Sequence, residues 1–260
     1  MRQPMIARIL PLAVLLLAAT PASEAAAQQL AQRIADIADG RARFVFSARP
    51  GVCGDGQNLI TRDDCTLRSQ RMNDGGRRLS EGPVRVTLTI RDRRIVSLRT
   101  AVGGDTTLPD GVTDLGPVST REATDYLLSL AERSEGRVGD DAIVPAALAD
   151  SVTVWPRFLA LARNERLPRN TRQSAALWLG FAAADAIAPD VDEPSEEHDA
   201  RAQAVFALSQ LPRDEGVPAL VQVARTHRDP AIRRKAVFWL SQTLDERALD
   251  AMAAILKGEG

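Results

Sequence analysis

The sequence predicts a mainly α-helical protein: a C-terminal α-solenoid of helical hairpins, preceded by a small α+β module that contains an antiparallel hairpin. Three observations predict it. The segments "RQSAALWLGF" (172–181), "RAQAVFALSQ" (201–210) and "RRKAVFWLSQ" (233–242) restate one pattern at an interval of about 31 residues. Apolar and polar residues alternate strictly from Val84 to Ile90, which is strand spacing. Aromatic residues make up only 4% of the 260-residue chain, a poverty that favours helices packed through Ala and Leu over a β-sandwich.

The chain opens with a pattern that describes transport. Arg2 and Arg8 precede an apolar run from Ile9 to Ala19, and small residues follow up to Gln28. This predicts a secretory signal peptide over residues 1–27, cut after Ala27. The apolar run is well short of the roughly 20 residues a membrane span needs. Export to the periplasm or the extracellular space is the expected localisation.

The small α+β module is expected over residues 28–110. A helix is predicted in "QQLAQRIADIAD", where Leu30, Ile34 and Ile37 recur at helical spacing before Gly40. Strands follow at "RFVFSAR" and at "VRVTLTI", the latter joined through "RDRR" to "IVSLRT" as a hairpin. Val84, Val86, Leu88 and Ile90 should face the core, with Arg85, Thr87 and Thr89 on a wet face. Cys53 and Cys65, the two cysteines of the chain, lie in the turn-rich "GVCGDGQNLITRDDC". An oxidising compartment favours joining them in a disulfide, worth roughly 3 kcal/mol by loop closure. Their spacing is not that of a redox or zinc motif, and the acidic residues around them do not fall at EF-hand positions. The polar "RMNDGGRRLSEGP" reads as an exposed loop.

Charge divides the chain. Residues 41–101 carry thirteen Arg against six acidic residues, whereas residues 102–260 carry 17 basic and 25 acidic ones. The opposite signs favour docking of one module on the other. An Arg-rich patch for an anionic surface, such as a membrane, or an anionic partner is the alternative. Nucleic acid is not expected as a partner, because the module offers only Phe44 and Phe46 for base stacking.

The helical repeat domain is expected over residues 111–260. "GGDTTLPDGVTDLGPVS" reads as a connector, after which Ser119 and Glu122 fit a capping box for a helix that buries Tyr126, Leu127, Leu130 and Ala131. The three repeated segments are the B-type helices. Ala175, Ala204 and Ala236 should allow close approach in one shared layer, with Leu179, Leu208 and Leu240 behind them. A-type helices alternate with them at "VWPRFLALAR", "GVPALVQVAR" and "ALDAMAAIL", and Pro156 and Pro218 should sit in first turns, where no amide donor is missed. Each hairpin buries its apolar surface only against the next, so an α-solenoid results. Trp239 is expected between repeats, with Trp239→Ala costing about 3–5 kcal/mol.

"DPAIRRKAVFWLSQ" followed by "DERALDAMAAIL" resembles the HEAT repeat, in particular the short form related to phycobilin lyase HEAT-like repeats, and the chain resembles exported bacterial HEAT repeat proteins. The similarity covers roughly residues 152–257. One departure stands out: "IAPDVDEPSEEHD" (187–199) is too acidic and Pro-broken to supply the middle repeat's A helix. The resemblance implies a non-catalytic scaffold that binds a protein or peptide through a helical-repeat surface, and repeat geometry nominates Gln173, Gln203, Arg234 and Lys235 as binding residues. No cofactor, metal or catalytic residue is expected. Phosphate loops, helical His pairs and a hydrolase elbow are all lacking in the sequence. His198 and His227 read as a helix-start and a turn residue. A lyase-like or accessory enzyme is the competing reading, carried by the name of the related repeats alone.

Overall fold

The computed structural model describes residues 22–57, 59–61, 79–134, 136–187 and 196–259. Most of the expected signal segment, Cys65 and residues 71–78 of the predicted polar loop lie outside them. The described residues form nine helices and two small sheets.

The N-terminal half is built around α1 (Ala22–Ala35) and seven strands: β1 (Gly40–Phe46), β2 (Val52–Gly54), β3 (Leu59–Thr61), β4 (Ser80–Glu81), β5 (Val84–Arg91), β6 (Arg94–Ala101) and β7 (Val112–Pro117). The main sheet has the order β6-β5-β1-β7. The predicted hairpin is β5–β6, and β1 adds to it antiparallel with Phe44 opposite Val86. Val84, Val86, Leu88 and Ile90 are buried as the alternation demanded, and Phe44 meets Tyr126 edge-on at 6.2 Å. The second sheet, β3-β2-β4, centres on Cys53, which is fully buried.

Two expectations fail here. The face predicted to be wet is covered at one end: Arg85 is only 6% exposed and donates to the Gly103 carbonyl, whereas Thr87 and Thr89 stay partly exposed. Arg43 donates to the Thr106 and Thr107 carbonyls at 3.1 Å, and Arg41 to that of Asp110 at 2.9 Å. The arginine excess of this region thus serves partly to anchor the 102–110 segment, because carbonyls of an irregular stretch need donors wherever water is displaced. The segment read as a connector also contributes a strand. β7 runs parallel to β1 and buries Val112 and Leu115.

The helical half comprises α2 (Thr120–Arg133), α3 (Arg137–Ala147), α4 (Trp155–Arg163), α5 (Arg169–Ile187), α6 (Glu196–Ser209), α7 (Arg213–Thr226), α8 (Pro230–Ser241) and α9 (Glu246–Leu256). Helix α2 starts at the predicted cap, where Ser119 Oγ accepts from the Glu122 amide at 3.2 Å, and it buries Tyr126, Leu127, Leu130 and Ala131. Pro156 occupies the first turn of α4. Pro218 does not occupy the first turn of α7, because that helix starts earlier, behind Pro212 and with Asp214 and Glu215 favouring its positive end.

The helices do not stack in chain order. Helix α5 packs along α8, and α6 packs on the other side of α8, so the inner layer reads α5–α8–α6. The outer layer reads α4–α9–α7, and ion pairs mark it: Arg163 of α4 binds Glu246 at 2.8 Å and also Asp250, while Arg247 of α9 reaches Asp214 of α7 at 3.5 Å. Helix α9 therefore occupies the middle slot of the outer layer, while most of the acidic 187–199 stretch lies outside the described residues. This order corrects the shared layer predicted from the repeat. Ala175 and Ala236 are fully buried, but Ala204 is exposed and Leu208 half-buried, because α6 lies at the end of the row instead of in its middle. Trp239 is half-buried for the same reason. Both halves share one continuous hydrophobic core, and the Arg49–Asp185 pair at 3.2 Å ties the strand region to α5.

Candidate interaction surface

The inner layer positions the candidate surface, and helix α8 is its centre. Asp229 caps α8 by accepting from the Ala231 amide at 2.9 Å, and Pro230 follows where a first turn tolerates it. Ile232, Ala236, Val237 and Leu240 turn inward. What remains outside is a single stripe at helical spacing: Lys235, Phe238 and Gln242. Helix α6 shows the same stripe one repeat earlier, as Gln203, Phe206 and Gln210. Phe206 is 45% exposed and Phe238 36%.

These two phenylalanines are joined through one indole. The Trp239 ring centroid lies 5.0 Å from that of Phe206 and 5.1 Å from that of Phe238. A second aromatic pair, Trp178 and Phe181, stands on α5 at 5.3 Å, with Phe181 36% exposed. Half of the six phenylalanines in the chain are thus placed in partial contact with water on three adjacent helices. Single exposed apolar residues need no explanation, but clustered aromatics flanked by polar groups mark interaction sites.

Beside the Phe206–Trp239–Phe238 group a hollow of about 210 Å³ opens where α6, α7 and α8 converge. Leu208, Leu211, Val217, Leu220, Trp239 and Gln242 line it. Its depth comes from Gly216, whose missing side chain lets α7 approach the Leu208 carbonyl; a Cβ there would stand 2.6 Å from that oxygen. The floor of the hollow is apolar, and Ser209, Gln210, Arg213, Gln242 and Thr243 make its rim polar, a fit for one apolar side chain with polar neighbours.

The nominated residues divide. Gln203 and Lys235 are exposed at equivalent register positions flanking the aromatic group. Gln173 is half-buried and donates its side-chain amide to the Ser241 carbonyl at 3.2 Å, bridging α5 to α8. Arg234 is half-buried. His227 caps the end of α7, and its ring nitrogen accepts from the Asp229 amide at 3.1 Å, a turn role. Sequence reasoning missed Phe206, Phe238, Gln210 and Gln242. The signal was present: "AVFALSQ" and "AVFWLSQ" repeat Phe and Gln at positions that the helical period turns outward.

The family model for HEAT repeats matches residues 191–259, the stretch that holds α6 to α9. The chain thus carries a HEAT repeat region at its C-terminal end, and repeats of this kind commonly act as protein-interaction scaffolds and are generally non-enzymatic. No similar curated protein and no similar solved structure is found.

Proposed function

We propose that this protein is a non-catalytic scaffold of the periplasm or extracellular space that binds a protein or peptide partner through the α5–α8–α6 face. The observation that carries the reading is the Phe206–Trp239–Phe238 group beside its apolar hollow. Aromatic anchors that become buried in a partner's interface are where binding energy concentrates, and the rim of Gln203, Gln210, Lys235 and Gln242 supplies polar contacts around them. An apolar partner side chain entering the hollow, with Lys235 drawing an acidic neighbour, is the expected mode. Export accords with the N-terminal pattern of residues 1–27, and an oxidising compartment would favour a disulfide between Cys53 and Cys65.

The test is affinity capture from envelope extract with the wild-type protein and with the double variant Phe206→Asp/Phe238→Asp. Both positions are solvent-exposed, so the fold should survive, which circular dichroism checks. A stoichiometric protein retained by the wild type and lost by the variant supports the reading. Retention undiminished by the variant moves the site elsewhere.

A further inference from the structure

A second concavity shares no lining residue with the hollow of the repeat surface. It has a volume of about 530 Å³ and is walled by α1, the β5–β6 turn, α2 and the start of α3. Its floor is apolar: Ile34, Ile90, Tyr126 and Leu130 are each 5% exposed or less. Its rim is cationic, with Arg93, Arg94 and Arg133 and no acidic residue among the described residues that line it. The volume falls within the range of about 300–1,000 Å³ usual for small-molecule sites.

Two features show that the rim is held in place. The turn joining β5 to β6 places both Asp92 (φ 49°) and Arg93 (φ 59°) in the left-handed region, where Asn-Gly is the usual pair and a long side chain is strained. Its two amides are tethered to the segment after α1: Arg93 N donates to the Ala38 carbonyl at 2.8 Å, and Asp92 N to Asp39 Oδ1 at 3.0 Å. On the other wall the Arg133 guanidinium stands 5.5 Å from the centre of the Tyr126 ring and donates to Ser129 Oγ at 2.8 Å. Among the described residues neither Arg93 nor Arg94 forms an ion pair with a carboxylate. A strained turn that presents unpaired arginines over an apolar floor is a device for an anion that brings its own apolar body.

We propose that this cleft binds an amphipathic organic anion, a carboxylate on an acyl chain of medium length, with the carboxylate between Arg93, Arg94 and Arg133 and the chain on Ile34, Ile90 and Leu130. Guanidinium forks match a carboxylate in charge and geometry, and the apolar floor rewards the chain by area removed from water. The site is separate from the α5–α8–α6 face and does not depend on the partner proposed there.

Calorimetric titration of the full chain with sodium decanoate, kept below micelle formation, tests it. Saturable binding is expected, at least tenfold tighter than that of decanol and weakening as salt rises. The exposed double variant Arg93→Ala/Arg94→Ala should lose at least tenfold in affinity with an unchanged melting temperature. Ala31→Phe, which fills the cleft from a half-buried position on α1, should abolish binding while leaving both arginines. Equal affinity for decanol and decanoate, or decanoate affinity untouched by either variant, would overturn the proposal. So would association with phosphatidylglycerol vesicles without any binding of dissolved decanoate, because that describes a charged surface and not a site.

Discussion

Gly180 offers the sharpest test of the stacking order. It sits where α5 crosses α8, and a Cβ built on it would lie 2.3 Å from Ser241 Cβ and 2.8 Å from Ser241 Oγ. Carbon atoms prefer about 3.5–4.0 Å, so Gly180→Ala demands that the helices part by roughly 1.5 Å. Ser241 Oγ can swing away about χ1, but Ser241 Cβ is fixed to the backbone, so no rotamer change relieves the nearer contact. Overpacking of this kind costs about 1–3 kcal/mol, and the absence of relief places it near the top of that range. Alanine returns about 1 kcal/mol through its helix propensity. The net expectation is a loss of about 2 kcal/mol, or a fall in melting temperature of about 4–8 °C at about 2–4 °C per kcal/mol for a large domain. Thermal unfolding followed by circular dichroism reads it. The second arm is Ser241→Gly, which removes the opposing Cβ; in the double variant most of the Gly180→Ala penalty should vanish, giving a coupling of about 2 kcal/mol in the cycle. If Gly180→Ala instead stabilises by about 1 kcal/mol, as alanine does in a helix that touches nothing there, then α5 does not lie on α8 and the out-of-order stack is refuted.

Other expectations follow from single residues. Tyr126 is the one tyrosine in the chain, and burial pushes its phenol up to about 12 despite the opposing charge of Arg133. Phenolate absorbance should therefore titrate near 12 in the folded protein and near 10 in denaturant; since the folded state holds its proton longer, stability should be undiminished below about pH 10 and fall as pH rises from there through 12. Asp245 caps α9 by accepting from the Arg247 amide at 3.0 Å, and the hydrogen bond from the Arg247 side chain holds its carboxyl below the ordinary value. Asp245→Ala should cost about 1 kcal/mol near neutral pH in urea unfolding. The difference from wild type should shrink as pH falls below about 4, where the unfolded carboxyl begins to protonate, and vanish once the folded one does. Trp239→Ala should cost about 2 kcal/mol, less than the 3–5 of a fully buried aromatic, because the ring is half-exposed. A cost of 4 or more would mean that α6 covers it more fully than described. Gly103→Ala should unfold the strand region or lower its melting point sharply, since a Cβ at φ 60° would stand 2.0 Å from the Gly54 carbonyl oxygen; retention of wild-type stability would exclude the close approach of the 103 turn to β2.

Local features of the fold were legible because they are local in cause. Alternation from Val84 to Ile90 decides which face is dry whatever the rest of the chain does, and Ser119 caps α2 through an amide three residues away. Cover was not legible. Whether Arg85 meets water depends on a segment some twenty residues downstream, and nothing in strand periodicity announces that Gly103 will lie against it. Helix α3 escaped notice because Gly139, two adjacent aspartates and Pro145 blur its period. The repeat itself was read correctly as helices and incorrectly as an order. Similarity between segments says that they solve the same packing problem, and it does not say which of them are neighbours. Of the nominated surface residues, Gln203 and Lys235 lie beside the aromatic group because the helical period places them there. Gln173 is instead half-buried between α5 and α8, because its side chain is drawn to the Ser241 carbonyl, far along the chain.

The stacking order also accounts for why an aromatic group lies open at all. In an array that followed the chain, α6 would be an inner helix with a neighbour on each side. Its Ala204 would then be covered like Ala175 and Ala236. Here α9 occupies the outer slot between α4 and α7, and α8 rides with it into the middle position. Helix α6 becomes terminal. A terminal unit in a stacked array needs a polar outer face to stay soluble, yet α6 retains the composition of an inner helix, with Ala204, Phe206 and Ala207 all exposed. The most economical resolution is that the surface is finished by something else. Loss of affinity capture in the Phe206→Asp/Phe238→Asp protein would show that a partner does so. Improved solubility of that variant with no partner lost would show instead that the open face is a liability of the stacking order and has no ligand.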